Sequence, residues 1–69
     1  KRTAHLTLSN LPKDREKVTV RLVSDGQTYY EKEFPTAAGS ASVSFDITES
    51  LSLDVYYDGV YITTKEVRY

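Results

Sequence analysis

The chain has 69 residues, a formal net charge of −1 from nine Lys plus Arg and ten Asp plus Glu, and no cysteine. We expect a single domain over residues 1–69, and without cysteine that domain has no disulfide bond. Charges of both signs are interspersed, and no apolar run approaches the ~18 residues of a transmembrane helix. We therefore expect neither nucleic-acid binding nor membrane insertion.

Six segments of the sequence alternate apolar and polar residues, which is the pattern of β-strands with one buried face, and none predicts a helix. The predicted strands span residues 3–9, 17–24, 27–34, 41–47, 51–57 and 60–69. Between the first two, Pro12 and the charged residues 13–17 predict a solvated connection, with Leu11 folded back over the core. After the third, the small residues of 35–40 permit a crossing from one sheet to another.

Two Asp-Gly dipeptides, Asp25-Gly26 and Asp58-Gly59, each lie between two of these strands. Both central residues of a type I′ turn have positive φ, which Gly adopts freely and Asp tolerates. The dipeptides therefore predict two tight β-hairpins.

The two predicted hairpins resemble each other in sequence. With the Asp-Gly pairs in register, residues 18–34 and 51–67 carry Lys-Glu at the same distance from the turn. They also share apolar character at positions 18 and 51, 20 and 53, 22 and 55, and 34 and 67. Duplication of one unit predicts this likeness. Convergence predicts it too, because the same turn and the same strand period select similar residues.

Two of the predicted strands interrupt their own alternation. In the third, Lys32 lies within the apolar face, which favours an edge strand, where a lysine discourages pairing with another molecule. In the sixth, Ile62 faces one way while Val67 and Tyr69 have the opposite parity. This change predicts a bulge near Lys65-Glu66 or a strand that leaves its sheet.

Short strands, regularly spaced turns and an apolar face on every strand predict an all-β fold. We expect a small antiparallel two-sheet β-sandwich of about six strands. A small closed β-barrel of the SH3 or OB type is the alternative that the same pattern allows.

The order of motifs also resembles a known family. An L-x-L strand, a loop with proline, V-x-V-x-L, an Asp-Gly hairpin, Phe-Pro-Thr, S-V-S-F-D-I, L-x-L-x-V and a second hairpin are similar to strands B, C, C′, E, F and G of an immunoglobulin-like or fibronectin type III-like module, with strand A absent or reduced. The resemblance implies that the second, third, fifth and sixth strands form one sheet, with the two turns at its opposite ends.

No catalytic, cofactor-binding or metal-binding residues are predicted. His5 lies on the outward face of the first strand, with no second histidine and no cysteine to complete a ligand set or a catalytic triad. Asp25, Asp54 and Asp58 offer carboxylates to calcium, but the two hairpin turns already account for Asp25 and Asp58. The sequence therefore predicts a protein that is not an enzyme.

The tyrosines suggest a surface that binds. Six tyrosines fall on three strands, and in each adjacent pair only one ring can face the core. We expect Tyr29, Tyr56 and Tyr61 to point outward from one sheet and to form a candidate binding face. Tyrosine is also a good strand former, so stabilisation of the sheet is the alternative role.

Three functions fit these observations. The first is a structural or interaction module of a larger extracellular or cell-surface protein, in contact with neighbouring domains. The second is a protein- or glycan-binding module that uses the tyrosine face. The third is a de novo designed β-sandwich with no natural function. The oligomeric state is open, because an unpaired edge of the first or third strand allows a dimer.

Overall fold

A computed structural model describes residues 2–47 and 49–68 of the chain. It contains six strands and one short 3-10 helix: β1 Arg2–Leu8, β2 Lys17–Ser24, β3 Gln27–Pro35, the 3-10 helix Thr36–Ala38, β4 Ala41–Ile47, β5 Leu51–Tyr57 and β6 Val60–Val67. The sequence predicted all six strands. It placed β1 one residue too late and extended the sixth strand to Tyr69, which lies outside the described residues.

The strands form two antiparallel sheets, one with the order β1-β4 and one with the order β3-β2-β5-β6. The predicted sandwich is confirmed. The barrel alternative is wrong, because within residues 2–47 and 49–68 no strand of one sheet pairs with a strand of the other. The four strands expected in one sheet do form one sheet, and β3 is an edge strand as its lysine predicted.

The core lies between the two sheets. The inward residues of β2 and β5 are almost fully buried, with Val18, Val20, Leu22, Leu53 and Val55 the largest among them. β4 covers this layer with the buried residues Ala41, Val43 and Ile47. Leu11 is also in the core, at 6% exposure, because its backbone N–H donates to the carbonyl oxygen of Gly39 at 3.1 Å. The prediction that Leu11 folds back over the core is confirmed.

The connection from β3 to β4 contains the 3-10 helix, which the sequence pattern did not predict. The backbone N–H of Thr36 donates to the carbonyl oxygen of Glu16 at 3.1 Å, and its hydroxyl donates to the carbonyl oxygen of Arg15. Gly39 ends the helix with a φ of 83°, a conformation that favours glycine. The helix therefore ties the crossing loop to the segment that enters β2.

The two hairpins have the same pairing register. In the first, Val18 pairs with Phe34, and in the second the equivalent residues of the sequence overlay, Leu51 and Val67, pair in the same way. Asp25, Gly26, Asp58 and Gly59 all have positive φ, as type I′ turns require. The turns lie at opposite ends of the four-stranded sheet, as expected, because β2 and β5 run antiparallel.

Each hairpin also has a bulge at the third residue after its glycine. In β3 the extra residue is Tyr29, and in β6 it is Ile62. The bulge predicted near Lys65-Glu66 is therefore in the wrong place. Ile62 follows Val60 by two residues, as regular alternation requires. The sequence pattern therefore did not reveal that the alternation is interrupted immediately after Tyr61. The shift brings Val67 into the core opposite Leu51.

Candidate functional site

The outer face of the four-stranded sheet carries a pair of tyrosines that the β5–β6 register places opposite each other. The ring centroids of Tyr56 and Tyr61 are 5.8 Å apart, with an angle of 71° between the ring planes. This edge-to-face arrangement is one that aromatic pairs prefer. Tyr61 is 54% exposed, whereas Tyr56 is half-buried.

Arg21 on the neighbouring strand β2 extends this pair. Its guanidinium carbon lies 4.9 Å from the centroid of the Tyr56 ring, and its Nη1 donates to Tyr56 Oη at 3.3 Å. Its Nε donates to Glu31 Oε1 at 2.9 Å. This hydrogen bond to Glu31 raises the pKa of the Arg21 guanidinium above its ordinary value, so Arg21 stays charged. The cation is thus held over the ring by two partners.

On the other side of the pair, hydroxyl groups continue the network. Thr64 Oγ1 donates to Asp54 Oδ1 at 2.7 Å, which uses its only proton. The contact of 2.7 Å between Tyr61 Oη and Thr64 Oγ1 must therefore have Tyr61 as the donor. Side chains from all four strands form one connected surface. We call Arg21, Tyr56 and Tyr61 the Arg-Tyr cluster.

Tyr29, the third residue of the candidate binding face, does not join this cluster. It is 60% exposed, but it is the bulged residue of β3, close to the Asp25-Gly26 turn. One intervening strand, β2, and more than three residue rows separate it from Tyr56, a distance on the order of 15 Å. Instead, Tyr29 lines a cleft of about 210 Å³ at the end of the sandwich, with Tyr30, Phe45 and Leu22. The structure therefore unites two of the three expected tyrosines.

A shallow groove of about 190 Å³ is lined by Arg21 and Tyr56 of the Arg-Tyr cluster and continues along β2 and β3. Two ion pairs lie along it: Arg21 with Glu31 at 2.9 Å and Lys17 with Glu33 at 3.3 Å. Both pairs are partly exposed, with side-chain exposure between 35% for Arg21 and 57% for Glu33. The groove is therefore mixed in charge.

The other residues that the sequence singled out have structural contacts. His5 is exposed on β1, with its Nδ1 2.7 Å from Ser44 Oγ. Asp58 accepts hydrogen bonds from the backbone N–H groups of Glu16 and Lys17. Among residues 2–47 and 49–68, no three His, Asp or Glu side chains form a group that could hold a metal ion. The same residues form no helix long and apolar enough to cross a membrane.

Sequence reasoning missed Arg21 as a member of the site. Two residues directly opposite on neighbouring strands interact most strongly, and Arg21 faces Glu31 in the hairpin register. Counting from the Asp25-Gly26 turn without a bulge places Tyr30 opposite Arg21. The bulge at Tyr29 therefore concealed the ion pair between Arg21 and Glu31. A register that pairs these opposite charges was the signal in the sequence that would have revealed both the ion pair and the bulge.

Comparison of the chain with protein-family models, with curated proteins and with solved structures gives no match.

Proposed function

We propose that this protein is a non-catalytic interaction module that binds a protein partner through the Arg-Tyr cluster. The observation that carries the proposal is the connected network that holds Tyr56 edge-to-face against Tyr61, with Arg21 over the Tyr56 ring. Tyrosine and arginine are the residue types that contribute most to binding at protein interfaces. A cluster of them on an exposed sheet face is a reason to expect a partner.

The network also lowers the cost of binding. An exposed arginine or tyrosine that becomes ordered at an interface loses about 0.5–1.5 kcal/mol of side-chain entropy. Here Glu31 already orders Arg21, and Thr64 already orders Tyr61. A partner that contacts these side chains therefore meets groups that are largely fixed before it arrives.

A protein partner fits the cluster better than a glycan. A sugar stacks on an open aromatic face, but Arg21 already lies over the ring of Tyr56. The cluster also presents the hydroxyl groups of both tyrosines and the charge of Arg21. The mixed-charge groove next to it suits the polar rim of a protein interface.

The strand order supports the wider context of the proposal. Pairing of β1 with β4, and the order β3-β2-β5-β6, are the sheets that the resemblance to immunoglobulin-like and fibronectin type III-like modules implies. We extend the proposal to such a module within a larger extracellular or cell-surface protein.

The proposal is tested by capturing binding proteins on the immobilised protein and comparing variants. Changing Tyr56 and Tyr61 together to Ser should reduce the captured partner by at least about tenfold, because two ring contacts are lost. Tyr29→Ser is the matched control, since Tyr29 is similarly exposed but lies outside the cluster.

Circular dichroism and urea unfolding establish that each variant is folded. Equal capture by the wild type and the double variant would contradict the proposal. So would a glycan array in which the protein binds a sugar through Tyr56 and Tyr61, because the ligand would then belong to another class.

A further inference from the structure

The cleft at the end of the sandwich is lined mainly by aromatic and aliphatic side chains. Leu22 and Leu51 are buried and form its floor, and Phe45 of β4 lines it from the smaller sheet. Tyr29 and Tyr30 of β3 line it too and are 60% and 39% exposed. Its volume of about 210 Å³ is below the roughly 300–1,000 Å³ of pockets for drug-sized ligands, so the cleft suits a smaller molecule.

The bulge in β3 brings two adjacent tyrosines to this cleft. Consecutive residues of a regular strand point to opposite faces, but Tyr30 pairs with the buried Leu22 and the extra residue Tyr29 lines the same cleft. Bulges are frequent next to active sites, where they redirect a side chain in this way. The turn and bulge do not require tyrosine, because the second hairpin forms the same bulge with Ile62 and Thr63 at the equivalent positions.

The rings that line the cleft are open, whereas a neighbouring ring already holds a cation. Further along β3, Lys32 Nζ lies 5.2 Å from the centroid of the Phe34 ring. Among the described residues, the rings of Tyr29, Tyr30 and Phe45 stack on no other ring and hold no cation. The face of an aromatic ring attracts a cation within about 6 Å of its centroid. These three rings are therefore free to receive a cation from outside the protein.

The charged groups that line the cleft are carboxylates. Asp46 and Glu49 line it, and the described residues of its lining include no lysine and no arginine. The hydroxyl of the buried Ser24 donates to Glu49, which fixes the position of the carboxylate without neutralising its charge. Glu49 forms no ion pair within the described part of the chain. A cation in the cleft thus gains both an aromatic contact and a negative partner.

We propose that this cleft binds a small organic cation whose nitrogen carries alkyl groups, such as a quaternary ammonium. The alkyl groups pack against the rings and the leucine floor, and the charge lies beside the Glu49 carboxylate. A primary ammonium fits less well, because its three N–H donors lose water while the rings and leucines offer no acceptors.

The test uses choline as the probe and, for comparison, the neutral alcohol in which carbon replaces the choline nitrogen. Titration of choline into isotope-labelled protein should shift the amide signals of Tyr29, Tyr30 and Glu49, with a dissociation constant of about 1 mM. The signals of Tyr56 and Tyr61 should stay in place. The neutral alcohol should bind at least about tenfold more weakly, because it fills the same space without a charge.

Two variants separate the contributions of the carboxylate and of the rings. Glu49→Gln should weaken choline binding by about threefold or more and leave binding of the neutral alcohol unchanged. Glu33→Gln is its matched control, because it makes the same change in net charge outside the cleft. Tyr29→Leu should weaken choline binding while the cleft stays apolar. Tyr61→Leu is its control, since Tyr61 is 54% exposed and lies outside the cleft.

The ligand group has two possible sources, which a peptide distinguishes. A short peptide with one trimethylated lysine carries the same quaternary ammonium. Affinity similar to that of choline assigns the cleft to a free small molecule, and peptide binding at least about tenfold tighter assigns it to a modified side chain.

Three results would overturn the proposal. They are equal binding of choline and the neutral alcohol, choline binding that survives both Glu49→Gln and Tyr29→Leu unchanged, and the absence of a saturable shift at tens of millimolar choline. The variant with Ser at both Tyr56 and Tyr61 should bind choline normally, so this test and that of the Arg-Tyr cluster fail independently.

Discussion

The two hairpins share a turn dipeptide, a register and a bulge position, yet their tips have different contacts. The Asp58 carboxylate accepts the backbone N–H groups of Glu16 and Lys17 at 3.1 and 3.0 Å, and the Asp58 N–H donates to the Lys17 carbonyl oxygen at 3.0 Å. The side chain of Asp25 has no partner within the described part of the chain. One turn holds a neighbouring segment in place, and the other only reverses the chain.

The segments that enter the two central strands explain this difference. Glu16 and Lys17 end a long connection, and they lie beside the second turn because β2 and β5 are neighbours. At the opposite end, the connection before β5 is short. Its Glu49 carboxylate accepts a hydrogen bond from the Ser24 hydroxyl, and the Asp25 side chain takes no part in this contact. The same dipeptide thus acquires a tertiary role only where a backbone segment presents unpaired N–H groups to it.

The largest expected effect concerns what the two hairpins share, namely the buried layer that β2 and β5 contribute to the core. Leu22 and Leu53 lie opposite each other there, and both are almost completely buried. Changing either to Ala should lower the free energy of unfolding by about 2–5 kcal/mol, because burial is lost and a cavity remains.

Urea unfolding followed by circular dichroism measures this loss. The two losses should be similar, since both side chains belong to one packed layer. A loss below about 1 kcal/mol for one of them would mean that its hairpin is only loosely attached to the core.

An intermediate effect is expected from the turn aspartates. Asp58→Ala should cost about 1–2 kcal/mol more than Asp25→Ala, because only Asp58 leaves backbone N–H groups of another segment without their acceptor. Asn at each position is the control, since it keeps the preference for positive φ. Asp25→Asn should be nearly neutral, while Asp58→Asn should retain part of the loss. Equal costs for the two Ala variants would show that the Asp58 contacts contribute nothing beyond the turn.

The smallest effect is expected on the outer face of the first hairpin. Lys17 and Glu33 form an ion pair of 3.3 Å there, and both side chains are about half exposed. Glu33→Gln should change the free energy of unfolding by less than about 0.5 kcal/mol, because exposed pairs are screened by solvent. Thermal unfolding of the wild type and the variant measures this change, and comparison of low with high salt shows how much of it is electrostatic. A loss of unfolding free energy above about 1 kcal/mol would show that this ion pair stabilises the hairpin more than an exposed pair should.

Sequence reasoning predicted the sandwich, the six strands and both turns, and it identified Tyr56 and Tyr61 as outward residues. It did not predict the bulges at Tyr29 and Ile62, since neither disturbs the local alternation enough to be seen. For this reason it grouped Tyr29 with the other two tyrosines and missed Arg21. A shift of one residue changes every cross-strand partner beyond it, so small errors of register become large errors of site composition.

By itself, the sequence determined where the chain extends and where it reverses, because strand alternation and the positive φ of Asp-Gly are local properties. Only the tertiary structure decided which side chains meet, such as Arg21 with Tyr56 and Asp58 with the segment entering β2. The reason is that both contacts cross between β2 and β5, which lie far apart in the sequence, and no short stretch of sequence encodes their pairing.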